Sequence, residues 1–205
     1  MTEITFRPMQ PRDFSTLLDL VIDTWQYRTW VPAPLVEPMA DYFLCDMLER
    51  SSTITVALVQ ERVVGVIAYS TDIQSTAQQM IAHKRIAALR RILNVQAPEN
   101  VFTKFIETME LDEQLLSQQQ KKYDGTINLF IVHQAYAGRG IGSTMYQQFQ
   151  QHMRSQQKQN FYLFTDSSSN FQFYEHHGLK KIATAKYDWG DETEEYYLYE
   201  GKLVL

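Results

Sequence analysis

Three of the chain's eight glycines fall within five positions, in Ala137-Gly138-Arg139-Gly140-Ile141-Gly142-Ser143. The run stands between Thr126 to Val132, which reads as a strand, and a helix that contains Met145 to Gln157. Glycine opens a backbone path closed to residues with a Cβ, so successive amide hydrogens turn toward one point. The helix beginning there adds its positive dipole end. An anion, above all a phosphate, is the expected ligand; a tight strand-to-helix turn with no ligand is the plainer alternative. A nucleotide P-loop requires lysine before its Ser/Thr, but Gly142 precedes Ser143, which disfavours ATP or GTP hydrolysis. The dinucleotide fingerprint Gly-x-Gly-x-x-Gly fits less well, because the last glycine comes one residue early. Asp166, at the end of the next strand, keeps that alternative open as a ribose-binding acid.

The 205 residues suit one domain with a sizeable core, and 44% hydrophobic content with 21% charged residues excludes disorder as the main state. A net charge of -5 leaves no basic excess for a phosphate backbone, so nucleic acid is not expected as a partner and a cationic small molecule is. The lone Cys45 forms neither an internal disulfide nor a cysteine-rich zinc site. It reads as a small buried helix residue, since nothing near it in sequence would activate a thiol. No metal site is expected. No apolar signal core opens the sequence, and the longest apolar runs, Ile54 to Val59 and Val63 to Tyr69, fall well short of the ~20 residues that cross a bilayer. A cytoplasmic protein without a membrane segment is the expectation.

Ile4 to Arg7 reads as a first strand. Pro11 and Asp13 then open a helix whose apolar face holds Phe14, Leu17, Leu18, Val21, Ile22 and Trp25. Pro32 to Pro38 breaks the pattern before a second helix, with Tyr42, Phe43, Met47 and Leu48 as its buried face. Thr53 to Val59 and Val63 to Tyr69, joined by Gln60-Glu61-Arg62, read as an antiparallel hairpin. A helical insertion follows over about residues 72–123, rich in Ala, Gln, Leu, Lys and Glu, interrupted by Pro98, with loosely periodic Ile81, Ile86, Leu89, Ile92 and Leu93. After the glycine run come a strand from Phe161 to Thr165, a short helix from Asn170 to His177 ending at Gly178, and strands Leu179 to Tyr187 and Glu195 to Leu203. The sum is an α/β domain, a mixed sheet covered by helices.

Val132-His133-Gln134-Ala135-Tyr136-Ala137-Gly138-Arg139-Gly140-Ile141-Gly142 resembles the acetyl-CoA loop of the GNAT-type N-acetyltransferases, [Gln/Arg]-x-x-Gly-x-[Gly/Ala] after a strand ending in valine. Phe173-Tyr174-Glu175-His176-His177-Gly178-Leu179 is similar to the family's Phe-Tyr-x-x-x-Gly-Phe segment, and one helix and one strand separate the two blocks as in the family. The resemblance covers all but the insertion. It implies one acyltransferase domain over residues 1–205, with a mostly antiparallel central sheet, a splayed parallel strand pair and flanking helices. It also implies that the pantetheine arm bonds to the backbone of Phe130, Ile131 and Val132 as an added strand would. The pyrophosphate would sit on the amides of Gly138, Gly140 and Gly142, with Ser143 in the first helical turn, and Ala137, Arg139, Ile141 and Asn170 also at the cofactor. Ala137 departs from the family's usual glutamine or arginine, at a position that acts largely through its backbone amide. A homodimer is a further expectation from the resemblance alone.

The reaction implied is acetyl transfer from acetyl-CoA to a primary amine of a small molecule or peptide, by direct attack in a ternary complex. An alkylamine of pKa near ~10.4 is about one part in a thousand neutral at pH 7, a cost of ~4 to 5 kcal/mol that a base or desolvation must offset. A backbone amide around Ile131 or Val132 would polarise the carbonyl. Tyr174 would protonate the leaving thiolate by resemblance; without it, Tyr174 reads as one more aromatic of the Phe171, Phe173, Tyr174 cluster. The glutamate that family members often carry before the loop is matched here by Thr126, with Asn128 next on the same face, and neither takes a proton at neutral pH. Asp124, Asp166, Glu175, His133 and an ordered water are candidate bases, each with a structural reading beside it: a turn at Asp124-Gly125, a capping loop at Asp166-Ser167-Ser168-Ser169. A catalytically silent acyl-CoA-binding domain is the competing function.

Overall fold

Arg7 and Asp13 tie the first strand to the first helix. Both Asp13 carboxylate oxygens accept from the Arg7 guanidinium, at 2.6 and 2.8 Å, and one also accepts the Gln10 amide at 2.7 Å. The fork is bidentate and its acid is buried, so the strand's exit angle is set before the helix begins. These contacts belong to a computed structural model that describes residues 3–71, 79–95 and 101–205. Its elements are β1 (Ile4–Pro8), α1 (Phe14–Thr24), α2 (Tyr27–Trp30), α3 (Ala33–Glu49), β2 (Thr53–Val59), β3 (Arg62–Ser70), α4 (Gln79–Leu93) and α5 (Val101–Ser117). After these come β4 (Gly125–Val132), α6 (Ile141–Ser155), β5 (Asn160–Asp166), α7 (Gln172–His176), β6 (Lys180–Asp188) and β7 (Thr193–Lys202).

The strands form one seven-stranded sheet in the order β1-β2-β3-β4-β5-β7-β6, antiparallel except for β4 beside β5. A mixed, mostly antiparallel sheet with one parallel pair, flanked by helices and interrupted by α4 and α5 before the glycine-loop strand, is the fold expected from the sequence. The parallel pair is brief. Only Gly125, Thr126 and Ile127 face partners on β5, namely Phe161, Tyr162 and Leu163. Beyond them β4 stays paired with β3 and β5 with β7, so the sheet opens between its two central strands.

A bulge in β4 controls which way its side chains point. Tyr69 pairs with Ile127 and Ala68 with Leu129, leaving Asn128 as the extra residue. Ile127 therefore packs on one face with Tyr69 and α6, while Leu129 and Ile131 pack on the other with α1 and α3. The sheet is covered on both faces: α1, α3, α4 and α5 on one, α6 and α7 on the other.

Two expectations need correction. Pro32 to Pro38 does not hold the second helix back, because α3 begins at Ala33 and contains Pro34 and Pro38. Pro34 falls in the first turn, where no intrahelical donor is needed; Pro38 gives up one bond in the second turn and is itself buried. The buried face is also rotated. Leu44, Cys45 and Leu48 are sealed, whereas Tyr42, Phe43 and Met47 are half-buried. The reason is the insertion, whose Phe102 meets Tyr42 edge-on at 5.4 Å and whose Phe105 meets Phe43 at 6.0 Å. Along α4, Ile81 and Ile92 are buried as their spacing predicts, but Ile86 and Leu93 are exposed. Pro98 and the start of the insertion at 72–78 lie outside the described residues.

Candidate active site

The glycine run turns the chain from β4 into α6 at the open end of the sheet. Gly138 and Gly140 have φ of 75° and 78°, a left-handed path that a side chain resists, and a Cβ at either would meet nothing within 4 Å. Backbone conformation, not crowding, selects glycine here, and the bend faces open space. Gly142 differs: its Cβ would make ordinary contact with Phe173 at 3.4 Å and Val132 at 3.7 Å, so neither crowding nor backbone conformation demands glycine there. The first bond inside α6 runs from the Thr144 N–H to the Gly140 carbonyl at 2.9 Å. The amides of Ile141, Gly142 and Ser143 precede it and have no carbonyl four residues back within the helix. They stand at the positive end of a 15-residue helix, a cradle suited to an anion. Arg139, exposed, holds its guanidinium over the Tyr136 ring at 5.1 Å and adds a cation at the mouth.

Beside this cradle runs the unpaired edge of β4. The His133 N–H bonds the Val64 carbonyl at 2.8 Å, so antiparallel alternation directs the Ile131 backbone to β3 as well. The N–H and C=O of Phe130 and Val132 then face the opening toward β5. Their side chains line its α6 and α7 side, with Phe130 edge-on to Phe173 at 5.4 Å. The edge offers a strand-like ligand two donors and two acceptors.

Tyr174 stands at the other wall, half-buried between Phe173 and Tyr199 at ring distances of 5.6 and 5.9 Å. Burial first, and then the Asp166 carboxylate, hold its phenol well above the ordinary range, so it keeps its proton. Asp166 ends β5 where the opening is widest. One of its oxygens accepts from the Ser168 hydroxyl and the Ser169 amide at 2.7 and 2.8 Å, which is the capping loop expected; the other accepts from the Trp25 indole at 3.3 Å. Asn170 is exposed just before α7, its carbonyl accepting the Phe173 amide at 3.2 Å.

Other candidate bases have structural duties. Asp124 accepts the amides of Gln159 and Asn160 at 3.0 and 2.9 Å, and these bonds, the Asn160 bond foremost, lower its carboxyl. Glu175 accepts from the Tyr199 hydroxyl at 2.8 Å, and His133 Nδ1 accepts the Ala135 amide at 3.1 Å as a turn cap. Thr126 and Asn128 share a face, 3.4 Å apart, as their positions predict, and Asn128 donates to the Arg50 carbonyl and the Ser51 hydroxyl. Cys45 is buried beside Asp41, and its thiol is pushed up to about 12.

One residue that no motif marks comes close to this group. Asp112, on α5, lies in range of Asp166, Glu113 and Arg50, and burial together with Asp166 pushes its carboxyl up to about 8. No glycine and no recognisable spacing surrounds it; its place is visible only in three dimensions. A separate cavity of about 410 Å³ opens between α3, α4 and α5, lined by Tyr42, Asp46, Arg50, Arg85 and Glu113 among others, and contains none of the loop residues. Among the described residues no cluster of His, Cys, Asp and Glu is placed to hold a metal, and no helix is long and apolar enough to cross a membrane.

The family model described as acetyltransferase (GNAT) family matches residues 19–179. A search of curated proteins finds no match to this sequence. Among solved structures, a protein of Pyrococcus horikoshii OT3 is similar at 14% identity and TM-score 0.64, covering 99% of this chain and 100% of its own. The ribosomal-protein alanine N-acetyltransferase of Escherichia coli shares 9% identity at TM-score 0.57, with 99% and 96% covered. An N-acetyltransferase of Staphylococcus aureus Mu50 shares 12% at TM-score 0.55, with 99% and 100% covered. At these identities the structural likeness shows the fold alone.

Proposed function

The chain belongs to the acetyltransferase (GNAT) family, and on that footing we propose that it moves an acetyl group from acetyl-CoA to a primary amine by direct attack. One observation carries the reading: β4 leaves β5 after three residue pairs and runs on to Val132, and the chain then turns through a glycine bend into the N-terminus of α6. The opening supplies an extended slot and the bend supplies an anion cradle at its end, which together match an acyl-pantetheine arm joined to a diphosphate. Acetyl-CoA brings a thioester whose carbonyl carbon is the electrophile.

The chain's own groups divide the remaining work. The amides of Gly138 to Ser143 hold the diphosphate, and the Phe130 and Val132 backbone holds the arm. By the alternation of β4, the Val132 N–H rather than that of Ile131 polarises the carbonyl. Tyr174, protonated and beside the opening, donates to the departing sulfur. An N–C bond forms and the C–S bond breaks. Of the two protons an ammonium loses in becoming an amide, one ends on sulfur and one in solvent.

Thermal unfolding with acetyl-CoA, CoA, NAD and ATP tests the cofactor, since a ligand at a hundred times its dissociation constant stabilises by ~2.7 kcal/mol. Acetyl-CoA and CoA are expected to raise the midpoint, NAD and ATP not; a shift with NAD alone overturns the reading. Thiol release with primary amines tests the reaction. CoA binding with no release above background would leave a silent acyl-CoA-binding domain in its place.

A further inference from the structure

Lys104, Thr108 and Asp112 stand four residues apart and so share one face of α5. That face runs along the edge of the opening. Lys104 Nζ donates to the Trp189 carbonyl at 2.7 Å, Thr108 meets the Tyr196 hydroxyl, and Tyr196 pairs across the sheet with Asp166. One further turn along that face stands Asp112, within electrostatic range of Asp166, with Glu113 on α5 and Arg50 at the end of α3 the other charged groups in range. Tyr174 faces the same Asp166 carboxylate from α7. An insertion helix thus carries an acid to the α5 side of the sheet's opening.

This acid is incomplete. Asp112 Oδ1 is sealed from solvent without a hydrogen-bond partner. Three other buried side-chain atoms among the described residues lack a well-directed hydrogen bond, namely Asp46 Oδ2, Glu49 Oε2 and Arg85 Nε, but ion pairs of 2.8 to 2.9 Å account for them. No ion pair accounts for Asp112 among the described residues. Arg50, the nearest candidate, turns Nε to Asp46 at 2.9 Å and Nη1 to Glu113 at 2.7 Å. A buried polar oxygen left open has room to accept from a donor outside the chain, and near the Asp166 carboxylate a cation suits that place.

We propose that Asp112, with Asp166, receives the ammonium group of the acceptor, and that Asp112 takes the proton that frees the nitrogen lone pair. The inference rests on the acetyltransferase reading above and names its acceptor class: a cationic primary alkylamine without a carboxylate close to the nitrogen. The N–H bond breaks toward the Asp112 carboxylate and its electron pair stays on nitrogen. That pair forms the N–C bond to the thioester carbon, the C–S pair leaves with sulfur, a second N–H proton reaches sulfur through Tyr174, and Asp112 returns its own to solvent. A carboxyl raised by burial is matched to this duty, since a base works best when its pKa lies near the operating pH.

Calorimetric titration of the full chain with butylammonium chloride, with and without CoA, tests the assignment without requiring turnover. Wild type is expected to bind butylammonium at millimolar concentration and β-alanine about tenfold more weakly. Asp112→Asn is expected to weaken butylammonium about tenfold or more while leaving CoA affinity unchanged, and Glu113→Gln, which alters an acid already paired with Arg50, to change neither. Equal affinity in wild type and Asp112→Asn, or no butylammonium binding by wild type, overturns the inference and leaves the acetyl-CoA reading standing. CoA failing to bind while butylammonium still depends on Asp112 overturns that reading and keeps the acid pair as an amine site. A second measurement needs no variant: the carboxyl carbon resonance of Asp112 moves on adding butylammonium, and an unmoved resonance sinks the assignment.

Discussion

Tyr174 keeps its proton while Asp112, its carboxyl pushed up to about 8, can release one near the operating pH, and each yields a separable outcome. Tyr174→Phe keeps the ring contacts to Phe173 and Tyr199 and removes only the hydroxyl. Steady-state kinetics should show kcat lowered about a hundredfold, within the range general acids contribute, with acetyl-CoA affinity unchanged. For Asp112 the consequence is a pH dependence of folding. Its carboxyl rises from 3.8 to about 8 in the folded protein, so the unfolded chain releases the proton first. Stability is therefore lost as pH rises from about 4 through about 8, at up to roughly 1.4 kcal/mol per unit. Urea unfolding at pH 5 and pH 9 should show this loss in wild type and a flatter profile in Asp112→Asn. Tyr174 and the glycines were legible in the sequence because short motifs mark them. Asp112 was not, because its importance depends on where an insertion helix comes to rest, and its neighbours Leu111 and Glu113 say nothing of that.

Among the elements, β4 makes the most discriminating claim. Amide hydrogen exchange should find the Phe130 and Val132 N–H groups faster than Ile131, which is bonded to β3, and acetyl-CoA should slow those two while leaving Ile131 little changed. The turn after β4 has its own test. Gly140→Ala forces an L-residue to φ near 78°, at about 1 to 2 kcal/mol, and should weaken CoA binding about tenfold with little effect on the rest of the fold. Strand positions were read correctly where β-branched runs are bounded by turns, as in β2 and β3. The start of α3 was misread because proline is a strong breaker only once amides must bond backward, and Pro34 precedes that point. The orientation of α3 was hidden for another reason: the half-burial of Tyr42 and Phe43 comes from Phe102 and Phe105, contacts between distant parts of the chain.

At the scale of the whole molecule, the sheet is two half-sheets, β1 to β4 and β5 to β6, joined by three residue pairs at one end. Asp124 fastens that end, since its side chain accepts the amides of Gln159 and Asn160 and its own amide donates to the Asn160 carbonyl at 2.7 Å. Asp124→Ala should cost roughly 1 to 3 kcal/mol in chemical unfolding, the loss of charge-assisted bonds to backbone. The molecule is built like a clothes peg, with its spring at Asp124 and its jaws at Val132 and Asp166. Eight residues of strand, roughly 25 Å, separate the two ends. Whatever the jaws grip must also hold them at a set width, so slackening the spring will register as poorer grip at the far tip. Affinity for an acyl donor in this protein is then partly a property of residues that never touch it.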